Sequence, residues 1–199
     1  MITQNGISYY TNRVIRKLKT LEFKTFLIGV VSGGEKNDEV EKPFKRNLGE
    51  ILEKKLNKKV DFKNPDVLIL INPKTKKINY QIKPLYLFGR YQKLAAGIPQ
   101  TKWKKKKFKT SVEEEIGKTI LEITKGKSHS FHGCGREDID VTTVGQGRPF
   151  VLEVIEPKIR TFNLKKAKEQ INKNSKLVKV KTLSFTTKEK IKEIKLAQP

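Results

Sequence analysis

The chain has 199 residues, of which 36% are hydrophobic, and 44 Lys+Arg against 21 Asp+Glu leave a formal charge of +23. That length holds one ample domain or two small ones with a real core, and the charge points to a polyanion, nucleic acid or an anionic membrane surface. No run approaches the roughly 18 apolar residues that span a bilayer, the first residues hold no signal-like apolar block, and the single cysteine, Cys134, excludes a disulfide framework or a zinc-binding cysteine pair, so a soluble cytoplasmic chain is expected.

In chain order, Ile7, Val14, Ile15 and Leu18 predict a basic helical lead within residues 1–23, and Phe26 to Val31 a short strand before the loop Ser32-Gly33-Gly34-Glu35. Pro43 opens a helix with Phe44, Leu48, Ile51/Leu52 and Leu56 on one face. Val67 to Ile71, after Asn64-Pro65-Asp66, is a buried strand, which makes a right-handed βαβ unit. A turn at Asn72–Thr75 leads to strands at Ile78–Ile82 and Leu85–Phe88, so residues 24–101 are expected to form an α+β sheet domain. Residues 102–110 read as a basic linker. Ser111 and Glu114 form a capping box for a helix through Ile116, Ile120 and Ile123 that ends near Gly126. Strands are expected at 137–144 and 149–155 around Gly145-Gln146-Gly147. A helix capped by Asn163, a strand over Leu177–Phe185 and a helix capped by Thr187 complete a second domain, 111–199.

The charge is uneven. Only seven of the 44 cations are Arg, and residues 128–157 contain no lysine at all. That window holds Arg136 and Arg148 with Glu137, Asp138, Asp140, Glu153 and Glu156, besides both histidines and the cysteine. Five carboxylates argue against simple burial, so an active site is expected there.

Several motifs compete. Gly126-Lys127-Ser128 is not a phosphate loop, because Leu121 stands where that motif needs Gly. His129, His132 and Cys134 are candidate metal ligands without a fourth partner, or ordinary loop residues. On a strand, Arg136, Asp138 and Asp140 share a face while Glu137 and Ile139 point away. An Arg beside a carboxylate keeps it ionised for use as nucleophile or base, or simply staples two strands. Asp140 followed by Glu156-Pro157-Lys158 loosely fits a magnesium-dependent nuclease. Arg90, Tyr91, Lys93, Lys102, Trp103, Lys104, Lys105, Lys106, Lys107 and Phe108 mix cations with aromatics, as RNA binding by phosphate neutralisation and base stacking requires. A solvated linker is the alternative for 102–109.

Gly135 to Phe150, GREDIDVTTVGQGRPF, resembles the signature of the archaeal and eukaryotic tRNA pseudouridine synthases that carry a THUMP domain. Val60 to Asp66 resembles the THUMP signature, and Pro84 to Leu94 with Gly97 to Trp103 resembles that family's interdomain segment. The three blocks fall in the family's order, and the resemblance covers roughly residues 25–185. It implies an α+β chain: a THUMP-like RNA-binding domain, then part of a mixed α/β catalytic domain. It implies isomerisation of tRNA T-loop uridines 54 and 55, without a cofactor, on a base flipped from its stack. Asp138 maps onto the catalytic aspartate; Arg136, Asp140 and Arg148 are expected to bind substrate. Thr142-Thr143 replaces the family's Arg-Met. The family stacks uracil on a tyrosine beyond the aspartate, whereas the tyrosines here are at 9, 10, 80, 86 and 91. The chain is therefore expected to be one part of a synthase, with tRNA and a second polypeptide completing the catalytic domain as partners. A tRNA-binding module serving another enzyme is the alternative.

Overall fold

The computed structural model describes residues 4–31, 38–103 and 107–197, and the chain divides into two compact units, Met1–Lys83 and Pro84–Pro199. The expected loop Ser32–Glu35 and the candidate RNA contacts Lys104, Lys105 and Lys106 lie outside the described residues. Helices and strands mix in both units, the α+β class expected. Among the described residues no helix is long and apolar enough to cross a membrane.

The first unit runs α1 (Gln4–Leu18), β1 (Thr25–Val30), α2 (Asp38–Leu56), β2 (Lys59–Val60), β3 (Val67–Asn72) and β4 (Lys77–Ile82). β1 and β3 are parallel, with Phe26 opposite Val67 and Val30 opposite Ile71, as the βαβ spacing predicts. β2 adds a parallel edge to β1, and β4 returns antiparallel along β3. Alternate strand residues Phe26, Ile28, Val67, Ile69 and Ile71 form one core with Val14 and Leu18 of α1 and Phe44, Leu48 and Leu52 of α2. α1 is thus an integral layer of this unit rather than a separate lead. α2 begins at Asp38, five residues before the expected start, and contains Pro43. Asp38, Glu39 and Glu41 place negative charge at its positive end, and the missing N–H of Pro43 costs a single helical hydrogen bond. The Val60–Asp66 segment is a structural turn. Asp61 Oδ1 accepts the Lys63 and Asn64 N–H groups at 2.9 and 3.0 Å, which holds its carboxyl below the usual range. Asp66 Oδ2 accepts the Lys24 and Thr25 N–H groups at 2.8 and 3.3 Å and so fastens β3 to the start of β1.

The second unit runs β5 (Leu85–Lys93), α3 (Val112–Thr124), β6 (Ser128–Gly133), β7 (Arg148–Ile155), α4 (Leu164–Asn174), β8 (Val178–Thr186) and α5 (Glu189–Leu196). Its sheet is antiparallel in the order β6-β7-β5-β8. β5 is hydrogen-bonded on both edges, with Leu85 opposite Val154 and Leu87 opposite Phe185. It therefore belongs to the second unit, and the division falls after Lys83 rather than after 101. The expected linker over 102–110 falls within the bounds of this unit and not between the two.

Leu85, Leu87 and Tyr91 of β5 and Phe150, Leu152 and Val154 of β7 face α3 and α4, represented by Ile116, Ile120, Ala167 and Ile171. Tyr86, Val151 and Cys134 lie on the opposite face against Ile191 and Ile194 of α5. β7 is covered on both faces, which accounts for the apolar run Phe150–Leu152, and its inner carboxylate, Glu153, is met by Tyr86 Oη and His132 Nε2 at 3.0 Å each. Gly89 is required there, because a Cβ would stand 2.5 Å from the Thr182 carbonyl oxygen and 2.7 Å from the Phe150 ring. The N-cap half of the predicted capping box forms, Ser111 Oγ accepting the Glu114 N–H at 3.2 Å, and Glu114 returns to the Ser111 hydroxyl, which donates to its Oε2 at 3.0 Å. Asn163 Oδ1 caps α4 through the Lys166 N–H at 2.9 Å. The last helix starts one residue beyond the expected cap: Lys188 occupies that position without a side-chain hydrogen bond.

The outer edge of β8 is closed by a side chain. Asn172 Oδ1 accepts the Val180 N–H at 2.7 Å, and its Nδ2 donates to the Val180 carbonyl at 2.9 Å, as a neighbouring strand would. Val180 is 1% exposed, so water cannot replace both bonds. Asn172→Ala is expected to lower the unfolding free energy of this unit by about 1–3 kcal/mol, read as a shifted urea midpoint with an unchanged slope.

Candidate active site

β6 and β7 are joined by a loop over residues 134–147, where the sequence pattern predicts a strand over 137–144. Beyond Cys134, whose N–H donates to the Pro149 carbonyl of β7 at 3.2 Å, its backbone is bonded to the end of β5 and to the 94–100 segment. The Lys93 carbonyl accepts the Thr143 N–H at 2.9 Å, and the Ile139 carbonyl accepts the Gly97 N–H at 2.8 Å. Gln100 Nε2 donates to the Gly135 carbonyl at 3.3 Å, and Gln92 Nε2 donates to that of Gly145 at 2.8 Å. Gly147, at φ 75°, closes the loop where a Cβ would stand 2.5 Å from the Tyr91 carbonyl oxygen.

Lys93 ends β5 and is 0% exposed. Its ammonium donates to three carbonyl oxygens: Asp138 at 2.8 Å, Ile139 at 3.0 Å and Ile98 at 3.2 Å. Burial pulls its pKa down, against the opposing fields of Glu137, Asp140 and Asp138. Glu137 also turns inward, with its side chain 2% exposed. Its Oε2 accepts from Tyr91 Oη at 2.8 Å and lies 3.0 Å from Arg148 Nε. Gln100 Nε2 donates to Tyr91 Oη at 3.1 Å, and Arg148 Nη2 donates to the Cys134 carbonyl at 2.7 Å. Burial and the Glu137 charge push the Tyr91 phenol up. These contacts make one buried cluster beneath the loop.

Asp138, Arg136 and Asp140 are exposed on the other side of the loop. Without a strand there is no shared face to join them, and among the described residues no ion pair links Arg136 to Asp138. The paired guanidinium and carboxylate are Arg148 and Glu137, the residue the strand pattern points away from the site. A five-carboxylate window argues against burial on composition alone, but Glu137 is buried because Tyr91 and Arg148 supply its partners. Arg148, retained in a lysine-rich chain, is the signal that could have found it.

The candidate RNA contacts divide in the same way. Tyr91 and Lys93 are both 0% exposed and committed to the loop, so neither can stack a base or neutralise a phosphate. Arg90 Nε donates to the Gln146 carbonyl at 3.2 Å. Lys102 is exposed and pairs with Glu114 at 2.9 Å. Trp103 is half-buried, edge-on to Phe108 at 5.2 Å between ring centroids.

The two metal readings find no geometry. His129 lies 3.4 Å from Glu113, His132 3.0 Å from Glu153, and Cys134 Sγ donates to the Ala197 carbonyl at 3.1 Å. Positions 129 and 132 project from opposite faces of β6, because their separation is odd. Asp140 lies in the loop before β7, whereas Glu156 follows its far end and pairs with Lys127 at 2.9 Å. An eight-residue strand of about 26 Å separates the two ends. Among the described residues no group of His, Cys, Asp and Glu could hold a metal ion.

The family model described as Pus10, C-terminal matches residues 86–199, nearly the whole second unit. Over 87% of its length the chain is 44% identical to the tRNA pseudouridine synthase Pus10 of Methanocaldococcus jannaschii, of which it covers 44%. It is 35% identical to that of Thermofilum pendens over 92% of its length, covering 46% of the relative. For that of Archaeoglobus fulgidus the identity is 33% over 95% of the chain, covering 60% of the relative. The chain thus spans about half the length of the curated relatives it matches, and it belongs to the Pus10 C-terminal family.

Tyr91→Phe removes the hydroxyl that links Gln100 to Glu137 and leaves both without that partner. It is expected to cost about 1–3 kcal/mol of unfolding free energy, measured by urea denaturation. A change below about 0.5 kcal/mol, the scale of an ordinary surface substitution, would show that the cluster does not hold the loop.

Proposed function

We propose, with membership of this family as the premise, that the chain is the nucleophile-bearing part of a tRNA pseudouridine synthase. It isomerises tRNA T-loop uridines 54 and 55 through Asp138. The observation that supports this most is the contrast within Gly135–Asp140. Glu137 and the loop carbonyls are fixed from inside, while the next side chain, Asp138, is exposed and has no ion-pair partner among the described residues. A nucleophile needs that combination of fixed backbone and open side chain.

A base stacked in a tRNA loop is out of reach of such a carboxylate, so the uridine is flipped outward. Asp138 attacks the base or the sugar carbon, and the bond between N1 and C1′ breaks with its electron pair left on the uracil. The detached uracil turns, C5 bonds to C1′, the bond to Asp138 breaks and regenerates the carboxylate, C5 gives up its proton and N1 takes one. The atoms of uridine are all retained, so the reaction calls for no redox partner or group donor. Arg136, two residues before Asp138, is exposed and carries a planar fork suited to a phosphate of the flipped nucleotide. Asp140, also exposed, is the alternative nucleophile. Arg148 acts indirectly, through Glu137 and the Cys134 carbonyl. RNA contact is assigned to Arg90, Lys102, Trp103, Lys104 and Lys105, and the first unit serves as a THUMP-like RNA-binding module. The uracil-stacking surface is assigned to a second polypeptide.

Asp138→Ala is expected to abolish pseudouridine in a tRNA transcript while tRNA affinity stays within about threefold, because an exposed carboxylate contributes no phosphate contact. Asp140→Ala keeps activity if Asp138 is the nucleophile. If the wild-type chain binds tRNA but forms no pseudouridine, alone or with a companion chain, the tRNA-binding module is the correct reading. Binding should also weaken steeply with salt, by at least about 10³ between 50 and 200 mM if six or more phosphates are neutralised. A salt-independent complex would remove the electrostatic path.

A further inference from the structure

We propose that Lys93 is a positioning residue for Asp138, its buried ammonium setting the backbone from which the nucleophile projects; this rests on the reading of Asp138 given above. The ammonium has three N–H donors and meets three carbonyl oxygens, those of Asp138, Ile139 and Ile98, at 2.8–3.2 Å. Every donor is used. Among the described residues no carboxylate lies within ion-pair distance of it. A lysine at 0% exposure bonded only to neutral carbonyls is an expensive way to end a strand, since any apolar residue would fill that volume without desolvating a charge.

Its contacts are local to the site. They join the 94–100 segment to the 134–147 loop at Asp138 and Ile139. Two backbone bonds of the same junction reinforce them, Gly97 N–H to the Ile139 carbonyl and Thr143 N–H to the Lys93 carbonyl, at 2.8 and 2.9 Å. The charge also stands among the three acidic side chains of the loop: Glu137, Asp138 and Asp140 all act on it. One cation therefore both anchors the loop backbone and offsets its negative charge. A guanidinium would not serve, because three carbonyls converging on a point suit a compact ammonium better than a planar fork.

The test uses the full chain with Lys93→Met, which keeps length and removes the donors, and Lys93→Gln, which keeps two N–H groups. Three quantities are read: the single-turnover rate of pseudouridine formation in a tRNA transcript, the tRNA Kd, and hydrogen exchange at the Gly97 and Thr143 amides. In Lys93→Met, exchange at those two amides is expected to accelerate about tenfold or more while β7 core amides keep their protection. The rate is expected to fall about 100-fold, the effect of a displacement near 1 Å, with Kd unchanged within about threefold. Lys93→Gln should recover part of both losses. A Lys93→Met rate within about twofold of wild type, well short of that 100-fold loss, would overturn the proposal. So would loss of cooperative unfolding in both variants, because the ammonium would then be holding the fold rather than the nucleophile. A wild-type chain that turns over no uridine, alone or with a companion chain, refutes the reading of Asp138 itself, and an active wild type beside an active Lys93→Met refutes only the role of Lys93.

Discussion

Backbone carbonyls turned away from water must find donors, and in the second unit that constraint falls hardest on the loop over 134–147. A strand in that position would pair its carbonyls with a neighbour. This loop forms no strand, and six of its carbonyls are met by side chains: Arg148 on Cys134, Gln100 on Gly135, Lys93 on Asp138 and Ile139 (which also accepts the Gly97 N–H), Gln92 on Gly145 and Arg90 on Gln146. Four of these donors come from β5 or the segment just after it. β5 is thus a central strand and also the scaffold from which the loop is hung. That double task explains why its exposed-looking sequence, Arg90-Tyr-Gln-Lys93, carries so many polar groups beside a buried core.

The two faces of the same strand are used differently. Side chains of Tyr91 and Lys93 project toward the layer containing Phe150 and Ile116, where water is excluded, so each must be fully satisfied. Arg90 and Gln92 project to the other face and reach the loop from outside, at Gln146 and Gly145. The loop is gripped from both sides of the sheet, with Asp138, Arg136 and Asp140 left outward. An exposed acidic and basic group on a backbone held this firmly is the arrangement from which reactivity is argued.

The regular parts of both units are visible in the sequence, because they depend on periodicity. Phe26–Val31, Val67–Ile71 and the Phe44-Leu48-Leu52 face fall where the structure has β1, β3 and α2, and the Ser111 and Asn163 caps form the predicted bonds. Errors collect where tertiary contacts override a local pattern. Alternation at 136–140 suggests a strand, but the carbonyls are claimed by Lys93 and Gln100 from 35 or more positions away. Arg90-Tyr91-Gln92-Lys93 looks like an RNA-facing mixture because basic and aromatic residues read the same whether a pleat turns them out or in. The boundary after Lys83 is hidden for a related reason: β5 follows β4 closely in sequence yet pairs with β7 and β8, whose sequences begin 55 or more residues later.

Part of the lysine-free window has a structural cause. β7 is covered on both faces and Glu137 is enclosed, and a lysine at the buried positions of β7 would bring an amine without partners. Arg148 persists at its margin because one fork reaches a carboxylate and a carbonyl together, Glu137 at 3.0 Å and Cys134 at 2.7 Å. From β5 the opposite choice is made, where the convergent carbonyls of Ile98, Asp138 and Ile139 are met by the ammonium of Lys93. The two cations divide the loop between them according to their shapes. The planar one locks the side chain at 137, and the compact one locks the backbone at 138. In a chain of 44 cations, these two are set apart from a solvated basic surface by geometry rather than by charge.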